Sequence, residues 1–160
     1  MFPRRKILTV FSIIAVFFLI ALGLNERARN HRRFVSTFSE MVISTDEALL
    51  DFSEVDVKYL KGEETEENYK TAWLDLNYKL EQVKQQDDRL QSPPKELEEL
   101  VSTYRAGLYR VLSVTNDVVD YLSGETEDPV IIIKNRETFE EGLKLLREVK
   151  DKLQPPGKIV

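Results

Sequence analysis

Apolar and polar positions divide this chain into one unbroken greasy stretch and a long series of helical stripes. Ile7 to Leu24 holds eighteen residues without a charge, and its only polar side chains are Thr9 and Ser12. As a helix rising ~1.5 Å per residue it would be ~27 Å long, close to the ~30 Å hydrocarbon core of a bilayer. A single helix satisfies its own backbone hydrogen bonds there. The pattern therefore predicts a transmembrane helix over 7–24, after a short basic tail, 1–6.

From Phe34 the spacing becomes that of amphipathic helices. Phe38, Val42, Thr45, Leu49, Phe52, Val55 and Tyr59 advance by threes and fours, one stripe of a helix with period near 3.6. No proline interrupts Leu8 to Ser92, so this first helix can continue out of the apolar stretch. Gly62 follows its last apolar residue and marks a C-terminal stop. Thr65 then suits an N-cap, with Glu66 and Glu67 in the first turn that follows. The second helix presents Tyr69, Trp73, Leu76, Leu80, Val83 and Leu90. Asp87 falls where that stripe asks for an apolar residue, which means either an exposed helix end or a buried carboxylate with a job.

Ser92-Pro93-Pro94 closes the second helix and opens the third, because the residue before proline avoids helical geometry and proline suits a first turn. The third stripe is the most regular: Leu97, Val101, Tyr104, Leu108, Val111, Thr115, Val118 and Leu122, with coiled-coil spacing. Gly124 stops it. Asp128-Pro129 reads as an N-cap and first residue of a fourth helix, with a strand over the β-branched run Val130 to Ile133 as the alternative. Ile132, Phe139, Leu143, Leu146, Val149 and Leu153 favour the helix. Gly142 inside it costs ~1 kcal/mol relative to alanine. The expected bundle, 34–153, thus has helices over 34–61, 66–91, 93–123 and 129–153, then a proline-containing tail, 154–160.

The halves resemble each other. Tyr59-Leu60-Lys61-Gly62-Glu63 is echoed by Tyr121-Leu122-Ser123-Gly124-Glu125, 62 residues later. Each half is a helical hairpin with an apolar face that it cannot bury alone. The predicted fold is all-α: an N-terminal transmembrane helix followed by an up-down-up-down antiparallel four-helix bundle.

Charge adds direction. Arg4, Arg5 and Lys6 precede the apolar stretch, and Arg27, Arg29, Arg32 and Arg33 follow it in a juxtamembrane segment, 25–33. These seven are read as side chains reaching lipid phosphates. His31 lies among them as an interfacial residue. From Phe34 on, 16 basic residues face 27 acidic ones, a formal charge of −11. That repels phosphate backbones, so nucleic acid is not an expected partner. Glu63, Glu64, Glu66, Glu67, Glu125, Glu127 and Asp128 would collect at the end of the bundle away from the lipid. Such an acidic tip is an ordinary solvated surface, a docking site for a basic partner or a weak divalent-cation site, with no EF-hand spacing for tight calcium binding. Both flanks of the apolar stretch are basic, which leaves orientation open; the very short N-terminal tail points to an extracytoplasmic bundle. Cleavage near Gly23 would instead release a secreted protein.

Several chemistries lack their residues. There is no cysteine and one histidine, so neither a thiolate metal site nor a Ser-His or Cys-His nucleophile in the bundle can be built. No Glu-x-x-His pair, glycine-rich phosphate loop or Gly-x-Ser-x-Gly elbow occurs. An enzyme and a bound cofactor are both unexpected. Trp73, Tyr59, Tyr69 and Tyr104 read as core at helical spacing. Tyr78, Tyr109, Leu74, Val114 and Leu145 lie off the main stripes and are the candidate contact residues.

The expectation is a single-pass membrane protein whose bundle works by protein–protein contact or self-association, as scaffold or accessory subunit. The alternative is a sensor-type bundle that binds a small ligand and signals through a partner. Paired hairpins on a membrane helix are similar in outline to the periplasmic bundles of bacterial chemoreceptors. Those receptors carry a second membrane helix and a signalling module, so the likeness is one of architecture.

Overall fold

A computed structural model describes residues 4–125 and 135–153, with backbone alone for 4–22, 24 and 25. The described residues are all helical, without strands: α1 (Arg4–Leu60), α2 (Glu66–Asp88), α3 (Glu98–Leu122) and α4 (Arg136–Leu153), plus a 3-10 turn at Lys95–Leu97. The proposed start of the fourth helix at 129, the strand alternative over Val130 to Ile133 and the 154–160 tail lie outside them.

The chain divides into two units, residues 1–36 and 37–160. In the first, α1 is continuous through the segments read from sequence as span and juxtamembrane region. No proline is present to break it, and Gly23 has open space around it. Arg27, Arg29, Arg32 and Arg33 are exposed. Among the described residues no helix is long and apolar enough to cross a membrane. The side chains of 7–24 other than Gly23, and those of Arg4, Arg5 and Lys6, lie outside the described residues.

The second unit is a helical bundle, and its contacts give the pairing. On α1 and α2, Tyr59 stacks on Tyr69 at 4.1 Å, Phe52 meets Trp73 at 4.4 Å and Asp51 pairs with Lys79 at 2.9 Å. Numbers fall on one helix as they rise on the other, so the two run antiparallel. Asn77 to Thr115 (3.1 Å) and Asp87 to Arg105 (2.8 Å) set α2 against α3 in the same sense. Asn135 to Asp117 and Arg110 to Glu141 do so for α3 and α4, and Lys150 to Asp46 (2.7 Å) joins α4 to α1. Phe38, Met41, Leu76, Leu80, Val101, Tyr104, Leu108, Val111, Val118 and Val149 fill the centre. The expected stripes supply nearly all of them.

Both glycine turns are built alike. Gly62 and Gly124 have φ of 71° and 80°, a region that costs a side-chain-bearing residue energy. The N–H of Gly62 donates to Tyr59 and that of Glu63 to Lys58. The N–H of Gly124 donates to Tyr121 and that of Glu125 to Asp120. Each turn is a Schellman stop that satisfies the last helical carbonyls. Thr65 caps α2 as expected, its hydroxyl accepting from the Asn68 N–H at 3.2 Å.

The link between hairpins differs from expectation. Helix α2 ends at Asp88 rather than residue 91, with Arg89 as cap, and α3 begins at Glu98 rather than 93. Pro94 is extended (φ −56°, ψ 145°), and its carbonyl accepts from Leu97 in the 3-10 turn. Two consecutive prolines remove two donors and push their predecessors out of helical geometry, so the connection is longer than one tight turn.

Two helices meet backbone to backbone. A Cβ on Gly107 would lie 2.9 Å from Leu146 Cγ and 3.0 Å from the Gly142 carbonyl oxygen. One on Gly142 would lie 2.8 Å from Val111 Cγ2 and 3.0 Å from the Gly107 carbonyl oxygen. The glycine that looked like a helix defect is half of a paired notch between α3 and α4.

Candidate functional site

Close approach on one side of α4 leaves room on the other. Between α1 and α4 runs a partly open groove of about 210 Å³ with a floor of Val42, Leu49, Phe52, Phe139, Leu143 and Leu146. Asp46 and Lys150 bridge across it, and Arg147 and Asp56 stand at its rim. Toward the C-terminal end of α4 it meets a second, more open depression that shares Val42, Asp46 and Lys150 and adds Ser39, Ile43, Glu47 and Leu153.

Beside the groove α1 carries an exposed apolar row. Ile43, Leu50 and Val57 are 56%, 54% and 47% exposed and sit seven residues apart. Leu60 extends the row. Seven residues are nearly two turns, so the three stack on one line of the helix surface. Glu40, Glu47 and Glu54 each lie three residues before a member of that row and line one side of it. Glu47 and Glu54 have no ion-pair partner among the described residues. The sequence reading missed this row because the deeper stripe at three and four claimed the helix; the signal was the step of seven.

Under the groove the core holds polar atoms, all of them satisfied. Thr45 donates to the Met41 carbonyl at 2.9 Å and meets the Tyr104 hydroxyl at 2.7 Å; Tyr104 also reaches the Met41 carbonyl at 3.3 Å. Burial pushes the Tyr104 hydroxyl well above its ordinary range, because a phenolate there would lose its water. Thr115 donates to Leu112 and accepts from Asn77. Among the described residues no buried side-chain polar atom lacks a partner.

Asp87 proves to be buried, 3% exposed, with both oxygens on the Arg105 Nε at 3.0 and 2.8 Å. The exposed-end reading of this residue is thereby overturned. Arg105 lies on another helix, and nothing in the α2 pattern named it. The pair ties the two hairpins together, α2 of the first to α3 of the second.

The acidic residues have local uses. Glu64 accepts from the Asn68 amide at 2.7 Å and from the Thr65 N–H, which hold its carboxyl below the ordinary range. Glu66 is held down in the same way by Lys70, 2.7 Å away. Glu63, Glu67 and Glu125 are exposed; Glu127 and Asp128 lie outside the described residues. Tyr59, Tyr121, Glu66 and Lys70 line one shallow depression, so both glycine turns do lie at one end of the bundle. No group of three His, Cys, Asp or Glu able to hold a metal occurs among the described residues.

Of the expected contact residues, Tyr78, Leu74 and Tyr109 are exposed. Val114 is buried and Leu145 is half-buried against the α3 glycine notch, so both belong to packing. Tyr59, Tyr69 and Trp73 form a half-buried cluster with Phe52 and Phe139. Compared with family models, curated proteins and solved structures, the chain matches none.

Proposed function

We propose that this protein is a single-pass membrane protein, spanning at 7–24, whose extracytoplasmic up-down-up-down bundle acts by protein–protein contact as a scaffold or accessory subunit. Arg4, Arg5, Lys6, Arg27, Arg29, Arg32 and Arg33 flank the span and reach lipid phosphates on this reading. One observation carries the contact role: a core whose polar atoms are satisfied internally, beside an outer row of Ile43, Leu50 and Val57 left to solvent. Exposed apolar residues in register are the ordinary mark of a contact surface. A sensor would keep unfilled polar valence for its ligand inside the bundle. The groove between α1 and α4 supports that second reading, since it has the shape of a small-molecule site but an apolar floor.

The test is photo-crosslinking in the native membrane from a reactive residue at position 50, with position 78 as reference. A protein neighbour captured from position 50 and not 78 is the expected result. No protein neighbour from either position, together with a small molecule retained by the purified bundle, would replace this reading with the sensor. Recovery of the chain in the soluble fraction with a new N-terminus near Leu24 would remove the anchor.

A further inference from the structure

We infer that the surface formed by the exposed α1 row and the α1/α4 groove receives one amphipathic helix, carrying an apolar spine and a basic edge. The inference rests on the protein-contact reading and names the partner's chemistry. Ile43 and Val57 are fourteen helical steps apart on α1, ~21 Å at helical rise, or about two heptads of an apposed helix. Apolar residues on one line with a step of seven match a helix laid alongside, because only a helix repeats its own apolar positions at that distance. Among the described residues there is no strand edge to recruit an extended segment.

Charge gives the helix its sense. Glu47 and Glu54 border one side of the row, Glu47 also lining the second depression, while Arg147 stands on the α4 wall of the groove beside Lys150, whose ammonium Asp46 already pairs at 2.7 Å. A guest lying between them meets acid on one edge and base on the other. Its own edge toward α1 is therefore lysine- or arginine-bearing, and its edge toward α4 acidic. Arg147 has no ion-pair partner among the described residues, which leaves its guanidinium available to that acidic edge.

A second copy of this chain fits less well. The exposed large apolar residues outside α1 are Leu74 and Tyr78 on α2 and Tyr109 on α3, with none on α4 among the described residues. A copy can answer the row only with its own α1, whose edges beside the row carry Glu40, Glu47 and Glu54 on one side and Ser39, Asp46 and Ser53 on the other, with no lysine or arginine to meet Glu47 and Glu54 of the host.

The test selects against the full-length protein in detergent from a displayed library of three-heptad helical peptides. Their spines are fixed leucine, and both edges vary among Lys, Glu and Ala. Enriched peptides should carry Lys on one edge and Glu on the other. Their affinity should fall about tenfold or more in Leu50→Glu and be unchanged in Tyr78→Glu. Glu47→Lys/Glu54→Lys should shift preference to peptides with the basic edge replaced by acid. Enrichment without charge bias, binding indifferent to Leu50→Glu, or no enrichment would overturn the inference. So would self-association lost in Leu50→Glu. A protein neighbour crosslinked at position 50 alongside a failed selection would sink the helix while leaving the contact role standing.

Discussion

The two hairpins share a plan and differ in their seams. Both turn on a Schellman glycine followed by glutamate, with the same hydrogen bonds and nearly the same φ. Between α1 and α2 the filling is aromatic: Tyr59, Tyr69, Trp73 and Phe52, tilted and stacked at centroid distances of 4.1 to 6.3 Å. Between α3 and α4 there is no filling at one crossing, because Gly107 and Gly142 let the backbones touch. A ring-filled seam adjusts by tilting; a backbone contact has nothing to move. The difference teaches that a repeat visible in turns need not extend to packing. The tight seam holds α4 toward α3 and leaves the groove against α1.

The largest expected effect lies at the joint between the hairpins. Arg105→Ala would leave the Asp87 carboxylate buried and alone, at a cost of about 3–5 kcal/mol in chemical denaturation. Asp87→Ala should cost clearly less, because Arg105 is a third exposed and can turn to water. Equal costs would mean that the pair is not the joint described.

Next comes the contrast of seams. Gly107→Ala gains up to ~1 kcal/mol of helix propensity but drives a methyl into Leu146 and the Gly142 carbonyl, a net loss of about 1–2 kcal/mol. Trp73→Phe in the ring-filled seam should cost no more than that, although it takes about three heavy atoms out of the seam where Gly107→Ala adds a single methyl. A stabilised Gly107→Ala variant would break the comparison outright.

At the turns the two hairpins should respond alike. Gly62→Ala and Gly124→Ala each put a Cβ at positive φ, for about 1–2 kcal/mol apiece. Unequal melting shifts would show that the turns are only superficially repeated.

Smallest near neutrality is Tyr104→Phe, about 1 kcal/mol, since Thr45 keeps the Met41 carbonyl as its acceptor. Its signature is alkaline. The Tyr104 hydroxyl titrates above its unfolded value of about 10, so its contribution is complete below that pH and is lost as pH rises past it. The wild-type chain should lose up to about 1.4 kcal/mol per pH unit more than the phenylalanine variant there. Parallel curves would refute the burial argument.

The sequence disclosed whatever depends on neighbours along the chain. Thr65, Gly62, Gly124 and the four stripes are local signals, each with a local mechanism. Asp87 was visible as an anomaly, but Arg105, 18 residues on and across a helix interface, was not. Gly142 looked like a cost because its benefit resides in Gly107, a residue with no pattern of its own. The row at Ile43, Leu50 and Val57 was hidden by the stronger stripe on the same helix. Residues 7–24 follow the opposite logic: their sequence pattern is plain, and the structure adds a continuous helical backbone to it.

The hydroxyls of Thr45 and Tyr104 share the Met41 carbonyl across α1 and α3, deep in an otherwise oily interior. Slide α3 along α1 by a single turn, ~5.4 Å, and the buried Tyr104 hydroxyl leaves both of its α1 partners with no water to replace them, while Thr45 keeps the Met41 carbonyl on its own helix. The trio works as a key in a slot. Longitudinal sliding of α1 past α3 is opposed at this point of the core. A tilt or twist of α3 that keeps Tyr104 over Met41 leaves those bonds intact, whereas a piston stroke breaks them.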